Sequence, residues 1–375
     1  MIGGENNSYF GEGTSAYSSI FKYQKNYKKG SNLSFISTNR FFEKKGWGHV
    51  FGLSGLWRFG KSLTAELEVN KSLTKEPITN WISSDDIIKN KTVALDGERM
   101  NGNALYFTFE RNTKNWNSSL EYSQYSPLYQ TPLGFVTQNN IRFIEIEQGY
   151  QQFFKEDDFI RQMNIGLGSE FRFNFQGLKK YSDINTNAYF QFQNNIQSNL
   201  NYTYVINEEF EGLNAKGLHL IELFTSYNPS EKIRLGVFTS LGQRIRYHKD
   251  LPAIGNQWFI GTFNNFQVSP KLRISPSFRY SHLRNKIDDS YYFKGYIGRL
   301  NLNYQFNESL SIRLIAEYDD FETTFFYQPL LKWNPNPFTI FYIGGTNGYS
   351  KSKNNSRLSI DNSQIYMKFQ YLLSM

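Results

Sequence analysis

The sequence of 375 residues contains no cysteine. This absence excludes a disulfide framework, a thiolate metal site and a cysteine nucleophile. Long apolar runs are missing as well: the best one, near 338–345, is far shorter than the roughly 18 to 20 residues that a transmembrane helix requires. Few windows place apolar residues at helical spacing. The sequence therefore excludes a helical membrane protein and does not suit an ordinary α/β enzyme.

Aromatic residues are abundant instead. They make up 18% of the chain, beside 20% charged residues, and the mean hydropathy is −0.55. A disordered chain is poor in aromatic residues, so this content excludes disorder. The net charge of +8 would suit an anionic partner. Lysine and arginine are nevertheless spread along the chain without a dense basic stripe, which argues against nucleic acid as a partner.

Apolar and polar residues alternate with a period of two in segment after segment, each about 9 to 14 residues long, which is the pattern of half-buried strands. In 63–70, leucine, alanine and valine occupy the odd positions, and threonine, glutamate and asparagine occupy the even ones. Residues 163–175, 272–280, 310–317 and 365–371 repeat this alternation. The pattern predicts roughly nineteen strands.

The connections between these strands alternate in length. Short turns such as 59–62 and 306–309 contain turn-forming residues, and longer polar connections such as 71–100 and 243–255 lie between them. Tight turns at one end and long loops at the other are typical of an outer-membrane barrel. The sequence therefore predicts an all-β fold, a transmembrane antiparallel up-and-down β-barrel in the outer membrane of a Gram-negative bacterium, with a single domain over residues 1–375.

A closed sheet pairs every backbone N–H and C=O group inside the bilayer, and only alternate side chains then face lipid. The apolar face is predicted to contact outer-membrane lipids and lipopolysaccharide, and the polar face is predicted to line a wet lumen. Aromatic residues near strand ends would form girdles at the membrane interfaces. The girdle candidates are Trp57, Trp116, Tyr122, Trp258, Tyr304 and Trp333. The alternative is a soluble sheet protein whose core these residues pack.

Charged residues on the polar face form the candidate site. The predicted lumen-lining residues are Glu66, Glu68, Glu110, Glu170, Arg172, Arg273, Arg279, Arg299, Arg313 and Glu317. Such charges either line a pore and set its selectivity or form a salt-bridged network that closes it. The sequence leaves both alternatives open.

The order of turns and loops also bears on the ends of the chain. If the tight turns face the periplasm, the last strand, 363–373, ends at the periplasm. Counting the turns and loops backward from this strand places residues 1–13 on the side of the long loops, whereas a complete barrel should start on the periplasmic side. The first residues have neither the basic region nor the apolar region of a signal peptide. We therefore expect that upstream strands are missing and that the chain begins inside the barrel.

Motifs for catalysis or metal binding do not stand out. The four histidines lack the spacing of a metal site: His49, His219, His248 and His282. Three acidic pairs could serve acid/base chemistry or bind Ca²⁺, although a solvated face or a turn explains each of them: Glu66 with Glu68, Asp85 with Asp86, and Asp157 with Asp158. We predict no cofactor and no enzymatic activity. A hydrolase with His219 or His282 as its base is an alternative.

Segment 325–345, FFYQPLLKWNPNPFTIFYIGG, followed by a loop and by 364–373, QIYMKFQYLL, is similar to the closing hairpin and last strand of a family of uncharacterised outer-membrane β-barrel domains. Residues 20–40 and 48–59 resemble early strands of that family. In the family, the barrel typically follows an N-terminal carbohydrate-binding module of the family-9 type. The resemblance covers nearly all of the chain and begins inside the family's barrel. No functional residues are established for the family.

The strand pattern predicts an outer-membrane barrel, and the resemblance implies that it serves as a membrane anchor or a passage for a carbohydrate-related partner module. Such a module would lie upstream and would bring carbohydrate to the barrel. A porin-like channel, general or substrate-specific, is the first alternative, and the outer-membrane hydrolase is the second.

Overall fold

The structure is a computed structural model that describes residues 2–6, 15–43, 45–78, 87–92, 94–351 and 358–372. This part of the chain consists mainly of β-strands, together with two short 3-10 helices, Lys28–Gly30 and Gln193–Asn195. No helix within it has the length and apolar character to cross a membrane.

Twenty-three β-strands follow one another along the described residues. They are β1 (Ile2–Asn6), β2 (Ser15–Asn26), β3 (Asn32–Phe42), β4 (Trp47–Phe59), β5 (Leu63–Lys75), β6 (Ile87–Ile88), β7 (Lys91–Thr92), β8 (Arg99–Asn112), β9 (Trp116–Tyr125), β10 (Ile141–Phe153), β11 (Ile160–Phe173), β12 (Lys179–Phe192), β13 (Ile196–Phe210), β14 (Leu213–Ala215), β15 (Leu218–Ser230), β16 (Ile233–Arg246), β17 (Ala253–Ser269), β18 (Leu272–Asn285), β19 (Tyr291–Gln305), β20 (Leu310–Asp319), β21 (Thr324–Asn336), β22 (Thr339–Lys351) and β23 (Leu358–Tyr371).

Antiparallel pairing runs from one strand to the next. Twenty-one strands form one sheet, and β6 and β7 form a separate hairpin in the connection between β5 and β8, which pair with each other. The predicted all-β, up-and-down antiparallel fold is confirmed. The count exceeds the predicted number partly because the five-residue β1 and the three-residue β14 are too short to show a periodic pattern.

The chain divides into two compact units. The first unit comprises Met1–Gln151, Gly166–Asn185 and Val205–Glu209, and the second comprises Gln152–Ile165, Thr186–Tyr204 and Phe210–Met375. Strands β1 to β9 belong to the first unit, and β15 to β23 belong to the second. The single domain over residues 1–375 stays a prediction.

The register between neighbouring strands confirms the predicted alternation of faces. In the first unit, Leu67 of β5 lies opposite Phe107 of β8, whereas its neighbour Glu66 lies opposite Thr108. Apolar residues thus meet on one face and polar residues on the other. Strands β18 and β19 of the second unit repeat this arrangement.

The short turns lie where the sequence predicts them, but the long connections are shorter than expected. Strands occupy both ends of the predicted connection 243–255, because β16 continues to Arg246 and β17 begins at Ala253. Strand β17 reaches 17 residues, whereas about 9 to 11 residues suffice to span a bilayer. The additional residues of β16 and β17 pair with each other, from Gln243 opposite Asn256 to Arg246 opposite Ala253.

Large apolar side chains lie exposed on the sheet in both units. Trp116 is 49% exposed in the first unit and Trp333 is 46% exposed in the second, where it stacks on Phe341 with ring centroids 5.3 Å apart. A soluble sheet would cover such a face with another layer. The exposed face therefore fits a sheet in lipid and argues against the soluble alternative. Two girdle candidates, Tyr122 and Trp258, lie further inside their strands than expected.

Candidate functional site

The ten predicted site residues lie on the polar side of the alternation and fall into two groups of opposite charge. The first unit holds Glu66, Glu68, Glu110, Glu170 and Arg172, and the second unit holds Arg273, Arg279, Arg299, Arg313 and Glu317. Each group is therefore described separately. That these residues line a lumen stays a prediction.

Carboxylates line up across β5, β8, β9 and β10 of the first unit, on a surface that we name the acidic face. One row consists of Glu66, Thr108, Glu121 and Glu145. The next row consists of Thr64, Glu110, Ser119 and Glu147. Glu121 and Glu145 are directly opposite each other, and like charges in this position repel.

Other carboxylates of the first unit have polar or cationic partners. Glu68 accepts a hydrogen bond of 2.6 Å from Asn70 Nδ2. Glu170 forms an ion pair with Arg172, whose guanidinium lies 5.0 Å from the ring centroid of Tyr181. Asn70 thus orients the carboxylate of Glu68, and Arg172, which lies beside the ring of Tyr181, neutralises the carboxylate of Glu170.

The connection between β9 and β10, which we name loop 126–140, folds back onto the strands of the first unit. Arg40 Nη1 donates a hydrogen bond of 2.7 Å to the Pro132 carbonyl oxygen, and the Gln130 backbone N–H donates one of 3.2 Å to Ser72 Oγ. Tyr129 is only 4% exposed. The loop is therefore packed against the strands instead of extending into solvent.

Gly102 of β8 permits this close approach. A Cβ atom at Gly102 would lie 2.2 Å from Tyr129 Cα, where no real side chain could be accommodated without moving the backbone. Burial raises the pKa of Tyr129 to about 12, because desolvation penalises the phenolate, and the nearby Glu68 and Tyr125 add to the rise. Tyr129 is thus a neutral side chain that anchors the loop.

The second unit contains a cavity of about 550 Å³ that we name the basic pocket. It is lined by Lys271, Arg273, Arg313 and Lys332, together with neutral polar residues that include Gln267, Asn303, Gln305 and Ser311. One row across β17 to β20 consists of Gln267, Arg273, Asn303 and Arg313. A row across β19 to β21 consists of Gln305, Ser311 and Lys332. Four cations thus converge beside the short turns of these strands.

The cations of the basic pocket contact neutral groups. Arg273 Nε donates a hydrogen bond of 2.9 Å to Gln267 Oε1, and Lys271 Nζ donates one of 3.1 Å to the Phe306 carbonyl oxygen. Arg313 Nε is buried without a hydrogen-bond partner. Cationic donors in this state can bind an anion without first breaking an ion pair.

Outside the pocket, some arginines of the second unit form ion pairs with acidic residues. Arg299 Nη1 donates a hydrogen bond of 3.2 Å to Glu317 Oε2 on the neighbouring strand, and Arg244 Nη2 donates one of 3.1 Å to Glu222 Oε1. Some charges are therefore bridged, whereas those of the basic pocket are not bridged to any carboxylate among the described residues. Whether the charged residues line a pore or close it stays open.

The histidines proposed as hydrolase bases pair with tyrosines. His219 Nδ1 lies 2.7 Å from Tyr202 Oη, and His282 Nδ1 lies 3.1 Å from Tyr280 Oη. The remaining histidines, His49 and His248, pair with Asn39 and with the Leu251 backbone. A hydrolytic base needs a nucleophile and an orienting group in these positions. Among the described residues, neither candidate base has that arrangement.

The acidic pairs of the sequence have ordinary roles where the structure describes them. Asp158 Oδ2 accepts a hydrogen bond of 2.9 Å from the Lys155 backbone N–H, so Asp157 and Asp158 belong to a turn between β10 and β11. The pair Asp85 and Asp86 lies outside the described residues.

Several charged residues of both surfaces were not predicted from the sequence. They are Glu121, Glu145, Glu147, Lys271 and Lys332. The three glutamates alternate with apolar residues in β9 and β10, so the period-two rule could have identified them. Lys332 follows two consecutive leucines in β21, and Lys271 lies in a turn, so the rule gave no face for either residue.

Comparison with known proteins identifies the fold. No family model matches the chain, and no curated protein matches it. Solved structures do match. A point mutant of the ferric enterobactin receptor PfeA from Pseudomonas aeruginosa superposes with a TM-score of 0.56 and 9% identity, over 96% of this chain and 70% of that chain. The copper transporter OprC gives a TM-score of 0.59 and 8% identity, over 96% and 71%.

A third match is the siderophore receptor PirA from Acinetobacter baumannii, with a TM-score of 0.53 and 8% identity, over 96% of this chain and 72% of that one. Identities this low show the fold alone. These neighbours are outer-membrane β-barrels, and their names describe receptors and a transporter. The chain has the fold of an outer-membrane β-barrel, and its predicted outer-membrane location agrees with this fold and with the exposed apolar face.

Proposed function

We propose that this outer-membrane barrel is a passage for small anionic solutes, which bind in the basic pocket on their way through. The observation that carries the proposal is the set of four cations, Lys271, Arg273, Arg313 and Lys332, around a cavity of about 550 Å³. A cavity of this size can hold a small solute with its hydration water.

Charge and geometry both favour an anion in this pocket. Guanidinium groups present parallel donors that match carboxylate and phosphate oxygens, and an ammonium group adds a point charge. Because Arg273 contacts a glutamine and Arg313 Nε has no hydrogen-bond partner, an arriving anion replaces neutral partners or water. Charged walls of this kind set the selectivity of membrane pores.

The anchor and its partner module belong to the proposal as well. The exposed apolar face supports contact with outer-membrane lipids and lipopolysaccharide, and a carbohydrate-binding module upstream of the barrel would then be held at the membrane. The basic pocket favours a passage over a simple anchor, because an anchor has no use for unbridged cations. The tyrosine partners of His219 and His282 disfavour the hydrolase.

Planar lipid bilayers provide the test. The purified protein is inserted into the bilayer, and single-channel conductance and the reversal potential in a KCl gradient are measured. One charge on a water-exposed wall changes the free energy of an ion beside it by about 1 kcal/mol. This corresponds to roughly a fivefold change in an anion-to-cation permeability ratio. The triple variant Arg273→Gln, Arg313→Gln, Lys332→Gln is expected to lower this ratio by at least this factor relative to the wild type.

Arg279→Gln is the matched control. Arg279 lies on the same face of β18 as Arg273, three periods of the alternation away from the basic pocket, so its loss should change the ratio by clearly less than the single variant Arg273→Gln does. Equal effects of Arg279→Gln and Arg273→Gln would contradict a role of the basic pocket. A silent membrane after verified insertion would contradict the passage and leave the anchor.

A further inference from the structure

The connection between β5 and β8 brings three carboxylates together outside the strands. Glu76 follows the end of β5, and Asp96 and Glu98 precede the start of β8. One carboxylate oxygen from each residue lies within 4.8 Å of those from the other two. None of these residues belongs to the acidic face or to the basic pocket.

Backbone pairing holds the cluster together. The Glu76 backbone N–H donates a hydrogen bond of 2.9 Å to the Glu98 carbonyl oxygen, and Ile78 forms an isolated bridge with Asp96. Gly97 lies between the two acids with φ of +91°, a conformation that glycine adopts without strain. The chain therefore brings the acids together by its own backbone structure.

The Glu76 side chain gives an independent indication of a ligand. It is only 4% exposed, and its Oε2 atom has no hydrogen-bond partner. The Gln130 side chain and the Asp96 backbone also interact with this carboxylate. A buried, unpaired carboxylate oxygen is unfavourable unless a cation or a proton neutralises it. Desolvation accordingly raises the pKa of Glu76 to about 7, with the charges of Asp96 and Glu98 adding to the rise.

The carboxylates of the cluster carry more negative charge than the neighbouring lysine neutralises, so the cluster can bind a divalent cation. Lys91 Nζ lies 3.3 Å from Glu98 Oε1. With all three carboxylates ionised, as they would be around a bound cation, they and this ammonium carry a net charge of about −2. Thr92 donates to two of these acids: its backbone N–H to Glu98 Oε2 and its Oγ1 to Asp96 Oδ2, both at 2.8 Å. These hydrogen bonds orient the acids and do not reduce their charge.

We propose that Glu76, Asp96 and Glu98 form a binding site for Ca²⁺. The donor atoms are all oxygens, which hard cations prefer over the nitrogen and sulfur donors of zinc or copper sites. Carboxylate oxygens within 4.8 Å of one another can all contact one such ion. Three protein carboxylates suit Ca²⁺ better than Mg²⁺, which usually keeps several waters and is bound by one or two carboxylates.

A cation here would connect two loops of the first unit. Glu76 is hydrogen-bonded to Gln130 of loop 126–140, and Asp96 and Glu98 belong to the connection before β8. An ion bound by all three carboxylates would fix this connection to loop 126–140. This site is independent of the proposed passage, so its test does not depend on conductance.

The test uses the whole protein refolded in detergent without lipopolysaccharide, because lipopolysaccharide itself binds Ca²⁺. Bound Ca²⁺ is measured by equilibrium dialysis with a radioactive tracer after removal of metal by a chelator. One Ca²⁺ per chain is expected, with a dissociation constant of about 10⁻⁴ to 10⁻³ M, the range of extracellular calcium modules. Ca²⁺ is also expected to raise the melting temperature of the wild type.

Glu76→Gln and Glu98→Gln are expected to weaken Ca²⁺ binding by roughly tenfold or more, since each removes one of three anionic ligands, and to abolish the shift in melting temperature. Asp250→Asn, an exposed acid in the connection between β16 and β17, is the control and should bind like the wild type. The proposal is overturned if folded wild-type protein binds no Ca²⁺, or if Glu76→Gln binds it as the wild type does. Should a variant fail to fold, the stoichiometry of the wild type still decides.

Discussion

The first and second units have the same alternation of faces but opposite charges on their polar faces. The acidic face of the first unit sets Glu121 directly opposite Glu145, whereas the basic pocket of the second unit gathers Arg273, Arg313 and two lysines around a cavity. Both surfaces concentrate charge of one sign that neighbouring strands do not neutralise.

The two units also differ in what covers their polar faces. Loop 126–140 packs onto the strands of the first unit through Tyr129 and Gln130. In the second unit, the basic pocket lies at the short turns. Period-two alternation thus specifies only that a face is polar. Loops and the identity of the charged residues decide whether that face is covered or forms a binding cavity.

Replacing Gly102 by alanine gives the largest expected effect and tests whether loop 126–140 is packed in place. The new Cβ would lie 2.2 Å from Tyr129 Cα and 2.4 Å from Tyr129 N. These are backbone atoms, so the loop or β8 must move, which lowers the free energy of unfolding by about 2 to 3 kcal/mol. Thermal unfolding in detergent and limited proteolysis of the loop measure the change.

Gly298→Ala in β19 of the second unit is the matched control. A Cβ atom at Gly298 has nothing within 4 Å, and alanine in a strand is about 0.5 to 1 kcal/mol more favourable than glycine. The control should leave stability unchanged or raise it slightly. A Gly102→Ala protein that melts like the control would show that the loop does not pack on β8.

A second, smaller effect is expected at alkaline pH from Tyr129→Phe. The pKa of Tyr129 rises from about 10 in the unfolded chain to about 12 in the folded one. The stabilisation from burying the neutral phenol is complete below pH 10 and is lost as pH increases towards 12, because only the unfolded state ionises in this interval. At about 1.4 kcal/mol per pH unit of difference, this loss reaches at most roughly 2 to 3 kcal/mol.

The phenylalanine variant cannot ionise, so its melting temperature should fall less than that of the wild type between pH 10 and 12, while the two agree near pH 8. The same substitution at the exposed Tyr27 serves as the control and should leave the pH dependence of the wild type unchanged. Parallel melting curves for the wild type and Tyr129→Phe across this range would contradict burial of the phenol.

The fold could be predicted from sequence because a half-buried strand has a period of two. Segment 63–70 of β5 shows this rule most clearly, and the register of β5 with β8 confirms the faces of all its residues. Turns also carry local signals, so the connections 59–62 and 306–309 were found. Strand ends such as Arg246 were misplaced, because residues 243–246 contain a single apolar residue, too few to show a period of two. The pairing of Ile245 with Ile254 follows only from the register of β16 and β17.

The sites were harder to predict because they depend on neighbours from other strands. Alternation gives the face of Glu145 but does not show that Glu121 lies opposite it, which follows only from the register of β9 and β10. Consecutive leucines in β21 hide the face of Lys332, and a register shift lies just beyond it, after Trp333. The packing of loop 126–140 follows from glycine and proline positions that have no periodic signal.

The smallest expected effects compare one carboxylate in each unit. Glu145→Gln removes a charge that repels Glu121 across the acidic face, so we expect the free energy of unfolding to increase by about 0.5 kcal/mol at neutral pH. Glu222→Gln in the second unit removes the acceptor of the 3.1 Å hydrogen bond from Arg244, and we expect a decrease of similar size, since exposed ion pairs contribute about 0 to 1 kcal/mol.

The opposite signs of these two changes separate an electrostatic effect from a packing effect, because glutamine has nearly the shape of glutamate in both places. Urea unfolding in lipid vesicles at low and at high salt measures these two changes in the free energy of unfolding. Added salt screens both interactions, so both differences should shrink towards zero. A Glu145→Gln variant that is less stable than the wild type, also at high salt, would show that a specific partner binds the carboxylate of Glu145. The repulsion between Glu121 and Glu145 would then be offset by that partner and not by solvent screening alone.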